Sequence, residues 1–579
     1  MASFREMQKA CKLQVEGPEV RVAVLGNCAT QFFAQAVEGC GKLNGLNLSV
    51  FDADYDQIDA QLIDPASETW AFRPDVILLW LCSEKLYEEF LDTPFGERDG
   101  FADRTMDRIR GYWERIAGQS GAKIIQMNFP ETGDMPAGQL SAKTSASFVF
   151  QIRKLNALLQ EAEAGNDRVF PADLAAIQNR MGREAFFDRR MYYSAKMPLS
   201  MAALPAAAKA VGDILCSLAG KIRKCVIADL DNTLWGGVIG DDGMAGIEIG
   251  ELGRGHVFSN LQRWLKQLKD FGIILAVCSK NEENIAKEPF EKHPEMVLRL
   301  SDISVFVANW NDKASNIRLI QETLNIGMDS IVFLDDNPFE RNLIREKLPE
   351  VTVPELPEDP AEWLGFLQAA NLFDTVSFTG ENSDRTKLYQ AEFARRQLEQ
   401  RFESLDNYLQ SLEMEGGGYP FTPERYPRIA QLTQRSNQFN LRTVRYTESD
   451  IRRIAEDPRY RTLYFTLRDR FGDHGLVSVV ILEERPEGTL FLDTWLMSCR
   501  VLKRGMEEFV VNRMVREAAA NGYARIEAEY IPTPKNRMVK DLCGEMGFTR
   551  TGESTFALDV GSFAPLKTMI KEEEAHEPK

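Results

Sequence analysis

The sequence predicts an α/β protein of three domains and a short tail, and three observations lead to this prediction. The chain has 579 residues, whereas one domain typically has ~150. Strand-like apolar runs alternate with amphipathic runs up to about residue 220, and again after it, which is typical of parallel sheets covered by helices. The last region reads as strands joined by turns, which indicates a mixed sheet. We place the domains at residues 1–218, 219–375 and 376–565, with a disordered acidic tail at 566–579.

Composition disfavours several classes of protein. A formal net charge of −18 argues against nucleic acid as a partner, because an acidic protein does not neutralise phosphates. The longest apolar runs, such as VILLWLC, are far shorter than the ~20 residues that cross a bilayer, and the N-terminus has no apolar signal region. Nine cysteines without a CxxC pair indicate a reduced chain. We therefore expect a cytoplasmic protein that binds neither nucleic acid nor membrane.

The first domain is predicted to be a parallel sheet with helices on both faces. Its buried strands are the runs VRVAVLGNCA, PDVILLWLC and AKIIQMNF. Amphipathic runs such as FADRTMDRIRGYWERIAGQ supply the helices between them. The Ala-rich run MAALPAAAKAVGDILCSLAGK is predicted to be a helix that closes this domain.

The middle domain is predicted from four apolar runs, each followed by polar residues of a particular kind. The runs are KCVIADL, GIILAVCSKN, DISVFVANWND and DSIVFLDDNPFE. The polar residues that follow them are, in order, Asp229, Asp231 and Thr233, then Ser279, then Lys313, then Asp335 and Asp336. One such residue is often only a helix cap or a solvated charge. Because the carboxyl ends of parallel strands form one edge, where open α/β sheets bind ligands, the whole set predicts one site.

These residue types predict phosphoryl transfer. Asp229 can attack phosphorus to give an aspartyl-phosphate that water then hydrolyses, and Asp231 can act as general acid and base. Ser279 and Lys313 can bind the transferring group, with Thr233 as a further phosphate ligand. Carboxylates this close together require a cation, and Mg²⁺ prefers oxygen ligands. We assign the metal to the four aspartates, Asp229, Asp231, Asp335 and Asp336.

The spacing of the motifs leaves no room for a cap domain. A flap and one helix fit between Asp231 and Ser279, and a helix and a loop fit between Ser279 and Lys313. A cap normally encloses a small substrate and excludes water. A capless site is open, which suits a phosphate carried on a macromolecule.

The four motifs resemble those of the haloacid dehalogenase (HAD) superfamily, whose fold is a Rossmann-like parallel sheet. The segments DLDNTLWGGVIGDDG, LAVCSKN, NWNDKASNI and VFLDDNPFERNLIREKLPEV are similar to its FkbH-like branch, as are ENSDRTKLY and LTQRSNQFNLRTVRY downstream. The resemblance covers roughly residues 220–560. It implies an enzyme that loads a glyceryl unit from 1,3-bisphosphoglycerate onto the phosphopantetheine thiol of an acyl carrier protein, with dephosphorylation. Such a unit would supply polyketide-type biosynthesis, for example of tetronate or methoxymalonyl groups.

The same resemblance implies an enzyme-bound glyceryl thioester, and a thiol is suited to that relay. Cys278, beside Ser279 at a predicted strand end, is the best placed candidate for a catalytic thiol. Two points oppose this role. A cysteine in an apolar strand is commonly core filler, and strand alternation would point Cys278 away from the side of Ser279.

The first domain resembles the SGNH-hydrolase-like modules, which have a flavodoxin-like sheet. Cys28 stands where such hydrolases carry their nucleophilic serine, and all four histidines lie beyond residue 220. A Ser-His-Asp mechanism therefore cannot be assembled within this domain. We expect a docking or scaffold role, and leave open Cys28 as a nucleophile with another base.

The last domain resembles the GNAT acyltransferases, which have an α+β mixed sheet. In CRVLKRGMEEF, Arg500 and Gly505 fit the coenzyme A loop, but Lys503 replaces a glycine. Lys503 and Arg504 still offer positive charge to a phosphopantetheine phosphate, and Asn536 lies where such domains often face the pantetheine. The alternative is a solvated helix entrance. His474 is interpreted as structural.

We therefore predict a Mg²⁺-dependent, HAD-type phosphatase and glyceryltransferase of the FkbH kind, with an acyl carrier protein and 1,3-bisphosphoglycerate as partners. Two alternatives stay open. One is an aspartate-nucleophile, Mg²⁺-dependent phosphatase fused to binding domains. The other is an N-acetyltransferase or carrier-binding module in which the HAD core is a scaffold.

Overall fold

The computed structural model describes residues 2–376, 404–498 and 501–573. The segment ENSDRTKLY and Arg500, which carry two of the sequence interpretations, lie outside these residues. The chain divides into two compact units, Met1–Ala219 and Gly220–Lys579. No helix in the described ranges combines the length and apolar character needed to cross a membrane.

The first unit is built on a parallel sheet of five strands, which include the three predicted runs. The strands are β1 (Glu19–Gly26), β2 (Asn47–Asp52), β3 (Val76–Trp80), β4 (Lys123–Met127) and β5 (Val169–Ala172). Their order, β2-β1-β3-β4-β5, is that of a flavodoxin-like, doubly wound sheet. All five residues of β3 are buried, as expected for a strand with helices on both faces.

Helices cover both faces of this first sheet. They are Phe4–Ala10, Gln31–Leu43, Ile58–Ile63, Glu68–Phe72, Ser83–Asp92, Phe101–Gln119, Phe148–Ala164, Leu174–Met181, Arg183–Phe186, Arg189–Ala195 and Leu204–Leu218. Phe90, Phe101 and Phe148 pack on one another in the core between the helices and the sheet. Pro205 lies in the first turn of the last helix, where the missing backbone N–H costs little, so the predicted closing helix forms.

The second unit begins with a parallel sheet of four strands, in the order β8-β7-β6-β9. These strands are β6 (Cys225–Ala228), β7 (Ile274–Ser279), β8 (Val305–Ala308) and β9 (Ile331–Leu334). Alternate side chains of β6 enter two different apolar clusters, one on each face of the sheet. The helices around it are Ile239–Gly246, Gly253–Asp270, Glu283–Lys292, Lys313–Leu324, Pro338–Lys347 and Trp363–Ala370.

No cap domain interrupts this parallel sheet within residues 225–334, all of which are described. Between β6 and β7 the chain forms a short flap, closed by mutual backbone hydrogen bonds of Gly236 and Glu248, and then the helix Gly253–Asp270. Between β7 and β8 it forms the helix Glu283–Lys292 and one 3-10 turn. The spacing argument for a capless site is thus confirmed.

The rest of the second unit is a mixed sheet of eight strands, in the order β15-β16-β14-β13-β12-β11-β10-β17. The strands are β10 (Glu415–Tyr419), β11 (Tyr460–Asp469), β12 (Gly472–Arg485), β13 (Thr489–Met497), β14 (Arg525–Glu529), β15 (Thr549–Arg550), β16 (Thr555–Asp559) and β17 (Lys571–Glu572). The helices are Leu405–Ser411, Tyr426–Arg435, Glu448–Glu456, Met506–Ala520 and Leu542–Glu545. Strands β13 and β14 are parallel, joined by the long helix that the sequence predicts.

One expectation about this unit stays a prediction, and a second needs correction. Both sheets lie in one compact unit, although the sequence predicts a boundary at residue 376. The predicted disordered tail is ordered through residue 573: β17 pairs with β10, and Ile570 is 6% exposed in the core. The expectation rested on the acidic composition of the last residues, whereas Ile570 and its apolar neighbours bury themselves against the sheet.

Candidate active site

Three carboxylates meet at the carboxyl edge of the parallel sheet. Asp229 follows β6, and Asp335 and Asp336 follow β9; the two strands are paired in register, so their ends coincide. One carboxylate oxygen of each residue lies within 4.8 Å of the others. Asp229 is 7% exposed and Asp335 is fully buried. Two buried carboxylates and one half-buried carboxylate this close together require positive charge among them.

Lys313 supplies part of that charge. It begins the helix after β8, and its Nζ lies 2.9 Å from Asp229 Oδ2 and 2.5 Å from Asp335 Oδ2. Burial alone would lower the pKa of Lys313, but the two carboxylates outweigh it and hold that pKa above its usual value. Lys313 therefore stays protonated, which neutralises one of the three carboxylates.

The remaining negative charge fits a divalent cation. Burial raises the pKa of Asp229 to about 6 and also raises the pKa values of Asp335 and Asp336. Asp229 Oδ1 is buried and has no hydrogen-bond partner among the residues that the structure describes. A buried oxygen without a partner, beside two further carboxylates, is the donor set that hard cations such as Mg²⁺ prefer. Asp229, Asp335 and Asp336 therefore fit a magnesium ion.

The structure places the carboxylate of Asp231 apart from this group. Its Oδ1 accepts hydrogen bonds of 3.0 Å from the Trp235 indole and from the Ile239 N–H, and its Oδ2 accepts one of 2.7 Å from Asn281. Asp231 is thus not part of the group of three carboxylates, and its assignment as a fourth metal residue stays a prediction. The flap instead holds Asp231 in one orientation, which is compatible with its predicted acid/base role.

Thr233 and Ser279 lie near Asp229: Thr233 is in the same loop after β6, and Ser279 is the last residue of the neighbouring strand β7. The Thr233 hydroxyl accepts a 3.1 Å hydrogen bond from the Asp336 N–H, which ties the loop after β6 to the loop after β9. Ser279, 1% exposed at the end of β7, accepts a 3.2 Å hydrogen bond from Asn281. The phosphate-binding roles of both residues stay predictions.

Asn281 is the site residue that sequence reasoning missed. Its side-chain N–H₂ group bonds to both Asp231 and Ser279, so one amide links two predicted site residues. The sequence offers one signal for it: Asn281 lies two residues after Ser279, at the end of the motif LAVCSKN. An asparagine there reads as an ordinary loop residue until its contacts are seen.

Cys278 is not available to substrate as the structure stands. Its side chain is fully buried in the apolar cluster that includes residues of the helix Lys313–Leu324, and its Sγ lies 3.9 Å from the Lys313 carbonyl oxygen. Burial raises the pKa of the thiol to about 12, which disfavours the nucleophilic thiolate. The structure therefore does not support the relay role of Cys278. Strand alternation predicts this result, because it points Cys278 away from the side of Ser279. Cys28 is likewise buried, and burial raises its pKa well above the usual value.

Two of the predicted phosphopantetheine residues, Arg504 and Asn536, are buried in the second unit. Arg504 is 5% exposed and faces Asp469 and His474, each 3.4 Å from its Nη1. Asn536 is fully buried: it donates to the Asn440 and Ile531 carbonyls and accepts from the Thr533 N–H. Both side chains make internal hydrogen bonds, and their assignment to a phosphopantetheine site stays a prediction.

Lys503 and Gly505 keep part of the predicted loop geometry. Lys503 is exposed and has a φ of 60°, the left-handed conformation that favours the glycine usual at this position. Gly505 has a φ of 78°, and its carbonyl accepts a 2.8 Å hydrogen bond from the Thr568 hydroxyl. The C-terminal segment thus lies against the start of the helix Met506–Ala520.

The gap between β13 and β14 is filled by the chain itself. The two strands pair only up to Leu492 and Ala528. Beyond that point Met497 donates to the Phe439 carbonyl, and Leu441 bonds to Trp495 and to Ile531. The segment from Phe439 to Leu441 is therefore hydrogen-bonded to both strands' continuations beyond that point.

Fold and site together define a phosphatase-type α/β protein with an acidic cluster suited to Mg²⁺. Residues 21–216 match the model of the FkbH N-terminal domain. The chain is also 45% identical to the N-terminal part of the protein BF1531 from Bacteroides fragilis, a structure containing a phosphatase domain complexed with Mg. That match covers 65% of this chain and 100% of the other, with a TM-score of 0.63. The chain belongs to the family of this phosphatase-domain protein.

Two acetyltransferase structures also match part of the chain, but only weakly. The ribosomal-protein-S18-alanine N-acetyltransferase of Escherichia coli matches at 15% identity over 26% of this chain and 96% of its own, with a TM-score of 0.20. A spermidine N-acetyltransferase from Vibrio cholerae matches at 12% identity over 25% of this chain and 96% of its own, with a TM-score of 0.21. Such TM-scores support no conclusion about the mixed sheet. No curated protein matches the sequence.

Proposed function

We propose that this protein is a Mg²⁺-dependent enzyme that transfers a glyceryl unit from 1,3-bisphosphoglycerate to the thiol of a phosphopantetheinylated acyl carrier protein and removes its phosphate. The observation that carries the proposal is the group of Asp229, Asp335, Asp336 and Lys313 at a capless sheet edge. The resemblance to FkbH-like enzymes supplies the substrate class. The open edge favours a phosphate that arrives on a carrier.

The dephosphorylation step uses the aspartate pair. Asp229 attacks the phosphorus of the glyceryl 3-phosphate, the bond from phosphorus to the C3 oxygen breaks, and Asp231 gives its proton to that oxygen. Water then attacks the aspartyl-phosphate, loses a proton to Asp231 and releases inorganic phosphate. Lys313 stabilises the negative charge of the phosphoryl group throughout. A bound Mg²⁺, held by Asp229, Asp335 and Asp336, supplies further charge neutralisation.

In the acyl-transfer step the thiol of the carrier attacks the C1 carbonyl of 1,3-bisphosphoglycerate. The bond from C1 to the phosphate oxygen breaks, a thioester forms, and the departing phosphate takes the thiol proton. The burial of Cys278 favours direct attack by the carrier thiol over a relay through the enzyme. On this account Cys278→Ala retains loading of the carrier.

One assay tests the proposal. The protein is incubated with 1,3-bisphosphoglycerate, Mg²⁺ and holo carrier protein, and the carrier is weighed by intact mass spectrometry. We expect a dephosphorylated glyceryl adduct that disappears with apo carrier. With Asp229→Asn we expect no dephosphorylation, whereas Asp270→Asn, an exposed aspartate at a helix end, should behave as wild type. Absence of any adduct, with rapid hydrolysis of unrelated phosphoesters, would reject the proposal.

A plain phosphatase is the second candidate. It is favoured by the same carboxylate cluster and by the lack of an accessible cysteine beside it among the described residues. It predicts phosphate release from small phosphoesters without any carrier adduct, so the mass spectra separate the two candidates. The acetyltransferase alternative loses support, because Arg504 and Asn536 are committed to internal contacts.

A further inference from the structure

Three large apolar side chains stand exposed around the mouth of the carboxylate site. Leu252, Trp310 and Phe339 are 87%, 75% and 68% exposed. In the described part of the chain, only Tyr193 and Phe95 among large apolar residues are exposed to a comparable degree. Isolated apolar residues on a surface are ordinary, but three of the most exposed ones at one site indicate an interaction surface.

The topology places all three at the catalytic edge. Trp310 lies two residues after β8 and three before Lys313, and Phe339 lies three residues after Asp336. Leu252 precedes the helix that runs back from this edge to β7. Since β8 and β9 are the two outer strands, with two strands between them, Trp310 and Phe339 follow strands that are ~14 Å apart, on opposite sides of the site.

The two aromatic residues are held on ordered backbone. Asn309 accepts hydrogen bonds from the Asn311 N–H and from Asn316, which fixes the turn that carries Trp310. Asn337 accepts a 2.9 Å hydrogen bond from the Phe339 N–H and so caps the following helix. Because these turns are already ordered, binding a ligand at their apolar side chains costs less conformational entropy.

The depth of the site decides what can cover them. Asp229 is 7% exposed, Lys313 is 3% and Ser279 is 1%, so the surface of a folded partner cannot bring a phosphate into contact with them. A slender, flexible chain can. A phosphopantetheine arm fits this requirement, because it is thin, carries its cargo at the far end, and has a gem-dimethyl group suited to apolar contact.

We propose that Leu252, Trp310 and Phe339 form an apolar rim that binds the pantetheine arm while its phosphoglyceryl end reaches Asp229. This inference rests on the proposed function, since it takes the carrier-bound thioester as the substrate. It adds the residues that recognise the arm. They contact the part of the substrate that does not react, so their contribution is to substrate affinity.

The test compares an arm-linked substrate with one that has no arm. The substrates are 3-phosphoglyceryl-S-pantetheine and p-nitrophenyl phosphate, and the variant is Trp310→Ala with Phe339→Ala. We expect kcat/KM for the arm-linked substrate to fall at least tenfold more than for p-nitrophenyl phosphate, mainly through KM. Trp310→Phe, with Phe339 retained, should recover most of the affinity. Phe95→Ala, an equally exposed aromatic in the first unit, should change neither rate.

Each other result has a defined meaning. An equal loss for both substrates would overturn the rim, because it would indicate disturbance of Lys313. A loss seen only with the full carrier protein, and not with the free arm, would overturn it in favour of the folded carrier surface. If wild-type protein hydrolyses p-nitrophenyl phosphate but not the phosphoglyceryl thioester, the proposed function itself fails, and the rim with it.

Discussion

At the scale of single residues, Asn281 and Lys313 determine whether the site is organised. Asn281 holds Asp231 and Ser279 through one amide, and Lys313 lies between Asp229 and Asp335. Neither residue reacts in the proposed mechanism. Each one instead fixes the position or the charge of groups that do, and each can be removed separately.

Replacing Asn281 by Ala removes both hydrogen bonds without adding bulk. We expect kcat for phosphoester hydrolysis to fall about 10- to 100-fold, because misplaced acid/base groups typically cost this much. Steady-state kinetics with p-nitrophenyl phosphate and Mg²⁺ measure the effect. Asn311→Ala, an exposed asparagine on the loop after β8, is the matched control. An unchanged kcat would show that the flap alone positions Asp231.

Replacing Lys313 by Met leaves two buried carboxylates without their cation. We expect the free energy of unfolding of the metal-free protein to fall by about 3 kcal/mol, the loss typical when one partner of a buried ion pair is removed. Mg²⁺ should restore part of this stability, since it binds the same carboxylates. Urea unfolding with and without Mg²⁺ measures both. Lys292→Met, whose side chain is 65% exposed, should lose little, and equal losses in the two variants would contradict the argument.

At the scale of elements, the C-terminal segment is the largest departure from expectation. The Thr568 hydroxyl bonds to Gly505, Leu566 exchanges two hydrogen bonds with Asn512, and β17 extends the mixed sheet. This segment, which mixes acidic and apolar residues, thus forms the edge strand of the mixed sheet. Its order depends on partners more than fifty residues away, which local composition does not reveal.

Shortening Ile570 to Ala tests this element. We expect a loss of about 2–4 kcal/mol in the free energy of unfolding, the range for a buried Ile→Ala change. A disordered tail would give no change. Lys567→Ala is the control, because its ion pair with Asp406 joins side chains that are 73% and 63% exposed and contributes little. Chemical denaturation of both variants supplies the comparison.

The parallel strands and the motif residues after them were predictable because their signals are local. Apolar runs mark β6 to β9, and a residue type that suits phosphoryl transfer stands at the end of each strand or within five residues of it. Arg504 and Asn536 were not predictable in this way. The partners of Arg504 lie on β11 and β12, and one partner of Asn536 is 96 residues distant, so a binding role and a structural role look alike in sequence.

At the scale of the whole molecule, every residue of the proposed site belongs to the second compact unit. The first unit has its own sheet and its own core. We therefore expect the phosphoester step to need no side chain from residues 1–219, and a docking or scaffold role for the first unit stays a prediction.

A fragment of residues 220–579 should consequently fold and retain Mg²⁺-dependent hydrolysis of p-nitrophenyl phosphate, with kcat within about threefold of the full chain. The reason is that its core and all its site residues are internal to one unit. Thermal unfolding and steady-state assays on the fragment check both points, with Asp229→Asn in the fragment as the inactive control. A folded but inactive fragment would show that the first unit takes part in the chemistry.

The hydrogen bond between Thr233 and Asp336 joins residues 103 positions apart, and it has a consequence for synthesis in the cell. The ribosome must deliver β7 and β8, and then β9, before β6 acquires its second neighbour. Until Asp335 and Asp336 have emerged, Asp229 has no partner carboxylates with which to bind a cation. The group of three carboxylates is therefore complete only once the last strand of this sheet has emerged, so we expect no Mg²⁺ site in a nascent chain that ends before β9.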